Sequence, residues 1–139
     1  MRPDQIEKKS FQLIEERVPS HPFNRRQWSV VKRMIHATAD FELVHTTLFH
    51  PRALQAGIQA LRSGAPIIAD TNMVKAGISL TRLRAYGTKV CCAISRQRVA
   101  KEARLSGKTR AAAAMQSLAP LMKGALVAAG TAPTALREV

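Results

Sequence analysis

Few side chains in this sequence could carry out chemistry, and one histidine is the clearest candidate for catalysis. His36 lies at the centre of VVKRMIHATADF (30–41), a segment in which most residues are apolar or small. An imidazole titrates near neutral pH and can therefore act as a general acid or base. A lone histidine is more often a structural or capping residue, so spacing alone favours the structural interpretation of His36.

A second group of polar side chains follows a short apolar segment, PIIA (66–69). Asp70 and Asn72 stand in the cluster DTNM at its end. If PIIA is a parallel strand, this cluster lies at the edge where open α/β sheets bind ligands. Asp, Thr and Asn are also ordinary helix caps, so a structural role and a binding role both remain open here.

Two further turns carry groups that are suited to binding an anion. Thr109 and Arg110 belong to GKTR (107–110), which interrupts a helical region, and Thr134 belongs to GTAPT (130–134). The second turn opens a helix whose first backbone N–H groups are free to bind a carboxylate or phosphate. Together with the DTNM cluster, these turns predict a pocket for a small molecule with several carboxylates or phosphates.

The cysteines and the other histidines do not predict a metal site. Cys91 and Cys92 are adjacent in an apolar run. Neighbouring side chains of a strand point to opposite faces, so we expect two core thiols and no disulfide. His45 and His50 have no cysteine or carboxylate at ligand spacing. Free thiols, with neither a membrane span nor a secretory signal in the pattern, predict a cytoplasmic protein.

A helix is predicted to position His36. Apolar residues recur at helical spacing from Trp28 to Ile35, and Asn24 with Gln27 three residues later is a typical helix start. His36 then lies near the helix end, where the helix dipole favours a protonated imidazole. We expect the apolar face of this helix to pack inward and the imidazole to be buried.

The rest of the chain alternates strands with helices. The predicted strands are 42–50, 66–69, 89–94 and 124–129, and the predicted helices are 3–18, 51–63, a helix broken near Gly77, and 95–123 with its interruption at 107–110. Strand, polar turn and helix recur without a hairpin dipeptide, which implies right-handed crossovers and a parallel sheet. The sequence therefore predicts an α/β fold in a single domain over residues 1–139.

The charge of the chain points to an anionic partner. There are 22 Lys and Arg against 9 Asp and Glu, which gives a net charge of +13. Nucleic acid is the usual partner of such a surface, and a small polyanion is the alternative. Proteins that stack bases interleave aromatic residues with basic ones, whereas this chain has one Trp and one Tyr.

Four motifs, in order along the chain, resemble those of a known family. They are RMIHATADF (33–41), DTNMVKAGI (70–78), GKTRAAAAM (107–115) and GTAPTAL (130–136). The chain resembles the precorrin-8X methylmutases of cobalamin biosynthesis, which also act on cobalt-precorrin-8, over almost its whole length. The resemblance implies a flavodoxin-like, three-layer α/β/α fold with a parallel sheet, here without the family's C-terminal portion, and usually a homodimer.

The resemblance also implies a reaction on a polycarboxylate tetrapyrrole. The family moves a methyl group from C-11 to C-12 of the ring and gives hydrogenobyrinate or cobyrinate. The histidine of its I-H-A/T motif, His36 in this sequence, is the proton donor and acceptor. The enzyme needs no metal or organic cofactor, although cobalt can lie within the substrate. The residues expected to bind substrate are Ser10, Asp70, Asn72, Thr109, Arg110 and Thr134.

Two other functions remain as alternatives to the methylmutase. The first is a non-catalytic protein, or a shortened homologue, that binds tetrapyrrole carboxylates without converting them. The second is a nucleic-acid binder, which only the charge supports. Because the basic residues lack interleaved aromatics, we predict no nucleic-acid partner. Because the sequence has no apolar run of about 18 residues or more, we predict no membrane partner.

Overall fold

A hairpin of two long helices forms the first part of the computed structural model, which describes residues 2–139. Helix α1 is Pro3–Arg17 and helix α2 is Arg25–Thr38. The start of α2 is confirmed, since the Asn24 side chain accepts hydrogen bonds of 3.0 Å from the N–H groups of Arg26 and Gln27. The Gln27 side chain in turn accepts from the N–H of Asn24 at 3.0 Å, which completes a capping box.

Packing divides the chain into two compact units, one ending at Leu54 (the N-terminal unit) and the other formed by Gln55–Val139 (the C-terminal unit). The core of the N-terminal unit consists of Ile14, Trp28, Val31, Ile35 and Val44. It contains the apolar face predicted for α2, and the single tryptophan stacks on His21 with ring centroids 4.0 Å apart. The single domain over residues 1–139 stays a prediction.

The prediction of a strand at 42–50 is wrong. Leu43–Thr46 forms a short helix, α3, and no regular structure follows it as far as His50. The Asp40 side chain accepts from the N–H of Glu42 at 2.9 Å and so starts a helical turn. Val44 then enters the core of the N-terminal unit. Strand propensity of the β-branched residues was the misleading signal, because tertiary packing overrides it.

A small parallel sheet lies in the C-terminal unit. Strand β1 is Ile67–Ala69, β2 is Val90–Cys91 and β3 is Leu126–Ala128, in the order β2–β1–β3. Both pairings are parallel, with Ile67 opposite Val90 on one side and Leu126 on the other. The three strands occur where they were predicted but are shorter. The chain is thus a mostly helical α/β protein with a three-stranded parallel sheet.

The helices of the second half begin and end close to the predicted boundaries. Helix α4 is Ala53–Arg62, α5 is Asn72–Gly77, α6 is Leu80–Leu83, α7 is Gln97–Ser106 and α8 is Arg110–Leu118, with single 3₁₀ segments at Arg84–Tyr86, Ala119–Leu121 and Pro133–Glu138. The break near Gly77 and the interruption at 107–110 are therefore confirmed. Gly107 ends α7 with a φ of 67°, a conformation that suits glycine.

Small residues build the core around α8. Ala111–Ala114 are all buried, as are Met115 and Leu118. Val99 and Ala103 of α7 belong to the same cluster, with Ile68 of β1. Alanine side chains let helix and sheet approach closely at interior packing density. Cys91 and Cys92 are free and half-buried, and Cys91 packs against this cluster.

Helix α2 ends in an unusual conformation. Ala39 has φ 56° and ψ 18°, the left-handed region, and its N–H donates to Ile35 O at 2.7 Å. A residue with a Cβ is strained there by about 1–2 kcal/mol, and glycine is not.

We expect Ala39→Gly to stabilise the protein by about 0.5–1 kcal/mol, because relief of the strain exceeds the added entropy of the unfolded chain. The matched control is Ala37→Gly, in the right-handed part of the same helix, which should lose up to about 1 kcal/mol. Urea unfolding of the two variants measures both values. A loss of stability in Ala39→Gly would contradict the prediction.

Candidate functional site

His36 lies in the last turn of α2 and is exposed. Its position near the helix end is as predicted, but the expected burial of the imidazole is wrong. The buried side of α2 is taken by Val31 and Ile35, which turns His36 towards the rim of the apolar face. The imidazole therefore has access to a ligand.

Ser10 holds the His36 ring from the facing helix. Its Oγ lies 2.7 Å from His36 Nδ1, a hydrogen-bond distance. Phe11 meets the same ring edge-on, with centroids 5.3 Å apart and planes at 72°. Within residues 2–139 no partner is found for Nε2, so this nitrogen is the one left for a ligand.

Ion pairs and cation–π contacts fix the two helices that bring Ser10 to His36. Lys32 of α2 pairs with Glu15 of α1 and lies 5.8 Å from the centre of the Phe11 ring. Arg33 pairs with Glu7 at 2.8 Å. These contacts link α1 and α2 along the side of the hairpin that carries His36.

An open cavity of about 600 Å³ lies beside His36, within the N-terminal unit. The residues that line it are Ser10, Leu13, Ile14, Glu16, Arg17, Ile35, His36, Ala39 and Phe41. Its walls are thus largely apolar, with a few polar groups at the rim, as in many small-molecule sites. Sequence reasoning missed Glu16, Arg17 and Phe41. For Arg17, helical spacing from Ser10 was the available signal, since a residue seven positions later shares its face. Spacing did not indicate Glu16 or Phe41.

In the C-terminal unit, Asp70 fixes the loop that follows β3. Its side chain is fully buried, and Oδ2 accepts from the N–H groups of Gly130, Thr131 and Ala132 at 3.0, 3.1 and 2.9 Å. Burial by itself raises the pKa of Asp70. The hydrogen bonds from the backbone N–H groups of these three residues and of Thr71 lower it, and together they outweigh the effect of burial. The pKa of Asp70 therefore lies below its usual value.

Hydroxyl and amide side chains join the turns that were predicted to meet. Thr109 Oγ1 lies 2.8 Å from Thr134 Oγ1, which links the start of α8 to the 3₁₀ segment Pro133–Glu138. Asn72 Nδ2 donates to Ser95 Oγ at 2.6 Å, at the ends of β1 and β2. The structure therefore brings these turns into one polar rim of the C-terminal unit, and Arg110 is exposed beside it.

Neither a metal centre nor a membrane segment is found in the part of the chain that the structure describes. No three His, Cys, Asp or Glu side chains of residues 2–139 are grouped so that they could hold a metal ion. Among the same residues, no helix combines the length and the apolar character that crossing a bilayer requires.

Comparison with known proteins matches this chain to one family. The family model described as precorrin-8X methylmutase matches residues 5–139. The chain belongs to this family. The resemblance of the four motifs is thus confirmed.

Several methylmutases are similar over most of this chain. It is 42% identical to the cobalt-precorrin-8 methylmutase of Leptospira interrogans over 96% of its length, and 43% identical to that of Priestia megaterium over its full length. It superposes on the precorrin-8X methyl mutase from Thermus thermophilus with a TM-score of 0.87 and 39% identity, over 97% of this chain and 66% of that one. The chain spans 62% of the length of the Leptospira and Priestia relatives.

We expect Asp70→Asn to destabilise the protein by about 2 kcal/mol at pH 7, because a neutral amide binds the three N–H groups more weakly than a carboxylate does. A group whose pKa is lowered on folding contributes stability above its unfolded pKa and loses it as the pH falls through the folded pKa. The difference between wild type and variant should therefore shrink below about pH 4.

Urea unfolding at a series of pH values measures this difference. The matched control is Asp40→Asn, an exposed carboxylate that accepts one N–H, from Glu42; it should cost less than about 1 kcal/mol at pH 7. A difference for Asp70→Asn that stays constant from pH 7 to pH 3 would show that the carboxylate charge does not hold the loop.

Proposed function

We propose that this chain catalyses the methylmutase reaction. In this reaction a methyl group migrates from C-11 to C-12 of precorrin-8X or cobalt-precorrin-8, which gives hydrogenobyrinate or cobyrinate. The observation that carries the proposal is the Ser10–His36 pair at an open cavity. Family membership supports it. The flavodoxin-like three-layer arrangement and the homodimer belong to the same proposal.

In this reaction His36 acts as proton donor and acceptor at the macrocycle. Nε2 gives a proton to the ring, which changes its electron distribution and eases the methyl shift, and then takes a proton back. No atom is gained or lost, so the reaction is an isomerisation. A histidine with a free ring nitrogen at a cavity is the ordinary means of such transfer.

Ser10 is better suited to positioning His36 than to binding substrate. A hydroxyl can donate to Nδ1 or accept from an Nδ1–H, so the bond persists when the imidazole changes protonation state. It also fixes the ring plane, together with the edge contact from Phe11. This role replaces the substrate contact expected of Ser10 from the sequence.

Carboxylate binding is assigned to the polar rim of the C-terminal unit. Thr109 and Arg110 offer a hydroxyl and a planar guanidinium, which pairs well with carboxylates. Asn72 and Thr134 contribute polar contacts, and Asp70 supports them through the loop that it holds. The net charge of +13 attracts a polycarboxylate substrate at long range. We assign no cofactor, and cobalt can arrive within the substrate.

We expect His36→Ala to lower the rate of precorrin-8X conversion by a factor of about 10²–10⁴, because the proton donor is gone. Tetrapyrrole binding should persist. The control is His50→Ala, which removes an exposed imidazole outside the cavity and should leave the rate unchanged. Absorbance of the product chromophore measures conversion; equal rates for His36→Ala and wild type would remove His36 from the chemistry.

We expect Ser10→Ala to lower kcat about tenfold and to leave KM almost unchanged, because a lost hydrogen bond of about 1 kcal/mol misorients the imidazole without removing a substrate contact. The pH profile of kcat should shift as well. Ser10→Thr keeps the hydroxyl and should recover part of the rate. A rise in KM at constant kcat would instead assign Ser10 to substrate binding.

A second candidate function is tetrapyrrole binding without conversion. It requires the open cavity beside His36 and the exposed Arg110, but no proton transfer. It predicts a shift of the visible absorption bands on titration with a corrinoid carboxylate and no product chromophore from precorrin-8X. Turnover by the 139-residue chain would reject it.

A further inference from the structure

Arg17 lines the same cavity as Ser10 and His36 but takes no part in the proposed proton transfer. It lies in the last turn of α1, seven residues after Ser10, and therefore on the same helix face. Its side chain is exposed. Within residues 2–139, it is the one Lys or Arg that borders this cavity.

Ion pairing leaves Arg17 available for an anion. The neighbouring cations Lys32 and Arg33 are paired with Glu15 and Glu7. None of the salt bridges between residues 2–139 includes Arg17. A guanidinium without an acidic partner at the rim of a cavity is a binding group for carboxylate.

Phe41 orients this guanidinium. Arg17 Cζ lies 4.8 Å from the centre of the Phe41 ring, a cation–π contact. A cation–π contact does not use a hydrogen-bond acceptor, so the guanidinium N–H groups can still make two parallel hydrogen bonds to one carboxylate. Arg17 and Phe41 also border a smaller cavity of about 290 Å³, so they form a wall that the two cavities share.

Glu16 makes Arg17 necessary for binding an anion here. It borders the His36 cavity as well, and its carboxylate repels a negatively charged ligand. Arg17 offsets this repulsion locally, whereas the net charge of the chain acts everywhere on its surface. The two neighbours should therefore affect binding in opposite directions.

We propose that Arg17 binds a side-chain carboxylate of the tetrapyrrole whose ring meets His36, and so selects free carboxylates over amides. This inference rests on the proposed function, since it names a contact made by the same substrate. If Arg17 makes this contact, its removal should lower the affinity for a ligand with free carboxylates more than the affinity for an amidated one.

The test compares two corrinoids that differ in side-chain charge. Dicyanocobyrinate carries free carboxylates, and dicyanocobinamide carries amides in their place. Each is titrated by visible absorbance into the 139-residue chain. Arg17→Gln should weaken cobyrinate binding about 5- to 10-fold, because it removes an exposed charge-assisted pair. It should leave cobinamide binding within about twofold of wild type. Arg17→Lys, which keeps the charge and loses the planar fork, should fall between wild type and Arg17→Gln.

Two matched variants separate a local contact from the general charge. Glu16→Gln should tighten cobyrinate binding about twofold, because it removes the local repulsion. Arg26→Gln removes one exposed positive charge outside the cavity and should change both affinities less than twofold. Thermal unfolding of each variant verifies that the fold is retained.

Three results would overturn the inference while the proposed function stands. They are an unchanged cobyrinate affinity in Arg17→Gln, an equal loss for both corrinoids, which would indicate a structural role through Phe41, and an equal loss in Arg26→Gln. Failure of the wild-type chain to bind cobyrinate and to convert precorrin-8X would reject the proposed function, and the inference with it.

Discussion

The packing of α1 against α2 determines where the imidazole of His36 points. Each of the buried residues Val31 and Ile35 contributes about 1.5–3 kcal/mol through burial, whereas an exposed ion pair such as Arg33–Glu7 contributes about 0–1 kcal/mol. The apolar seam therefore supplies the stability of the hairpin. The ion pairs and the contact between Lys32 and Phe11 select the register, because a shift of one residue would separate every partner.

The C-terminal unit depends on a different interaction, in which a buried carboxylate holds a loop. Its sheet has three short strands, and α8 packs through alanines. Asp70 fixes the loop after β3 with one carboxylate oxygen, and Gly130 permits the close approach, since a Cβ there would lie 2.8 Å from Val74 Cγ2. The threonines and Asn72 are positioned by this backbone.

Local signals in the sequence were sufficient for most of the fold. The cap at Asn24, the break near Gly77 and the apolar strand before Asp70 depend on residues a few positions apart, and all three were predicted. The strand expected at 42–50 failed because the direction of Val44 is set by the distant core. Propensity contains no information about that core.

The candidate site was predictable only in part, because its geometry also depends on packing between residues that are far apart in the chain. His36 stood out because imidazole chemistry is rare and its motif was recognisable. Its exposure was missed, since the apolar face of α2 predicts which residues are buried but not how far the edge of that face extends. The contact between Arg17 and Phe41 joins residues 24 positions apart, so only the packed hairpin reveals it.

The single tryptophan has a practical consequence for experiments on this protein. Trp28 belongs to the core of the N-terminal unit, where it is 8% exposed and stacked on His21. Its fluorescence therefore reports on the packing of the unit that holds His36. The half-buried thiols of Cys91 and Cys92 give the C-terminal unit a label of its own, so the opening of each unit can be followed separately in one sample.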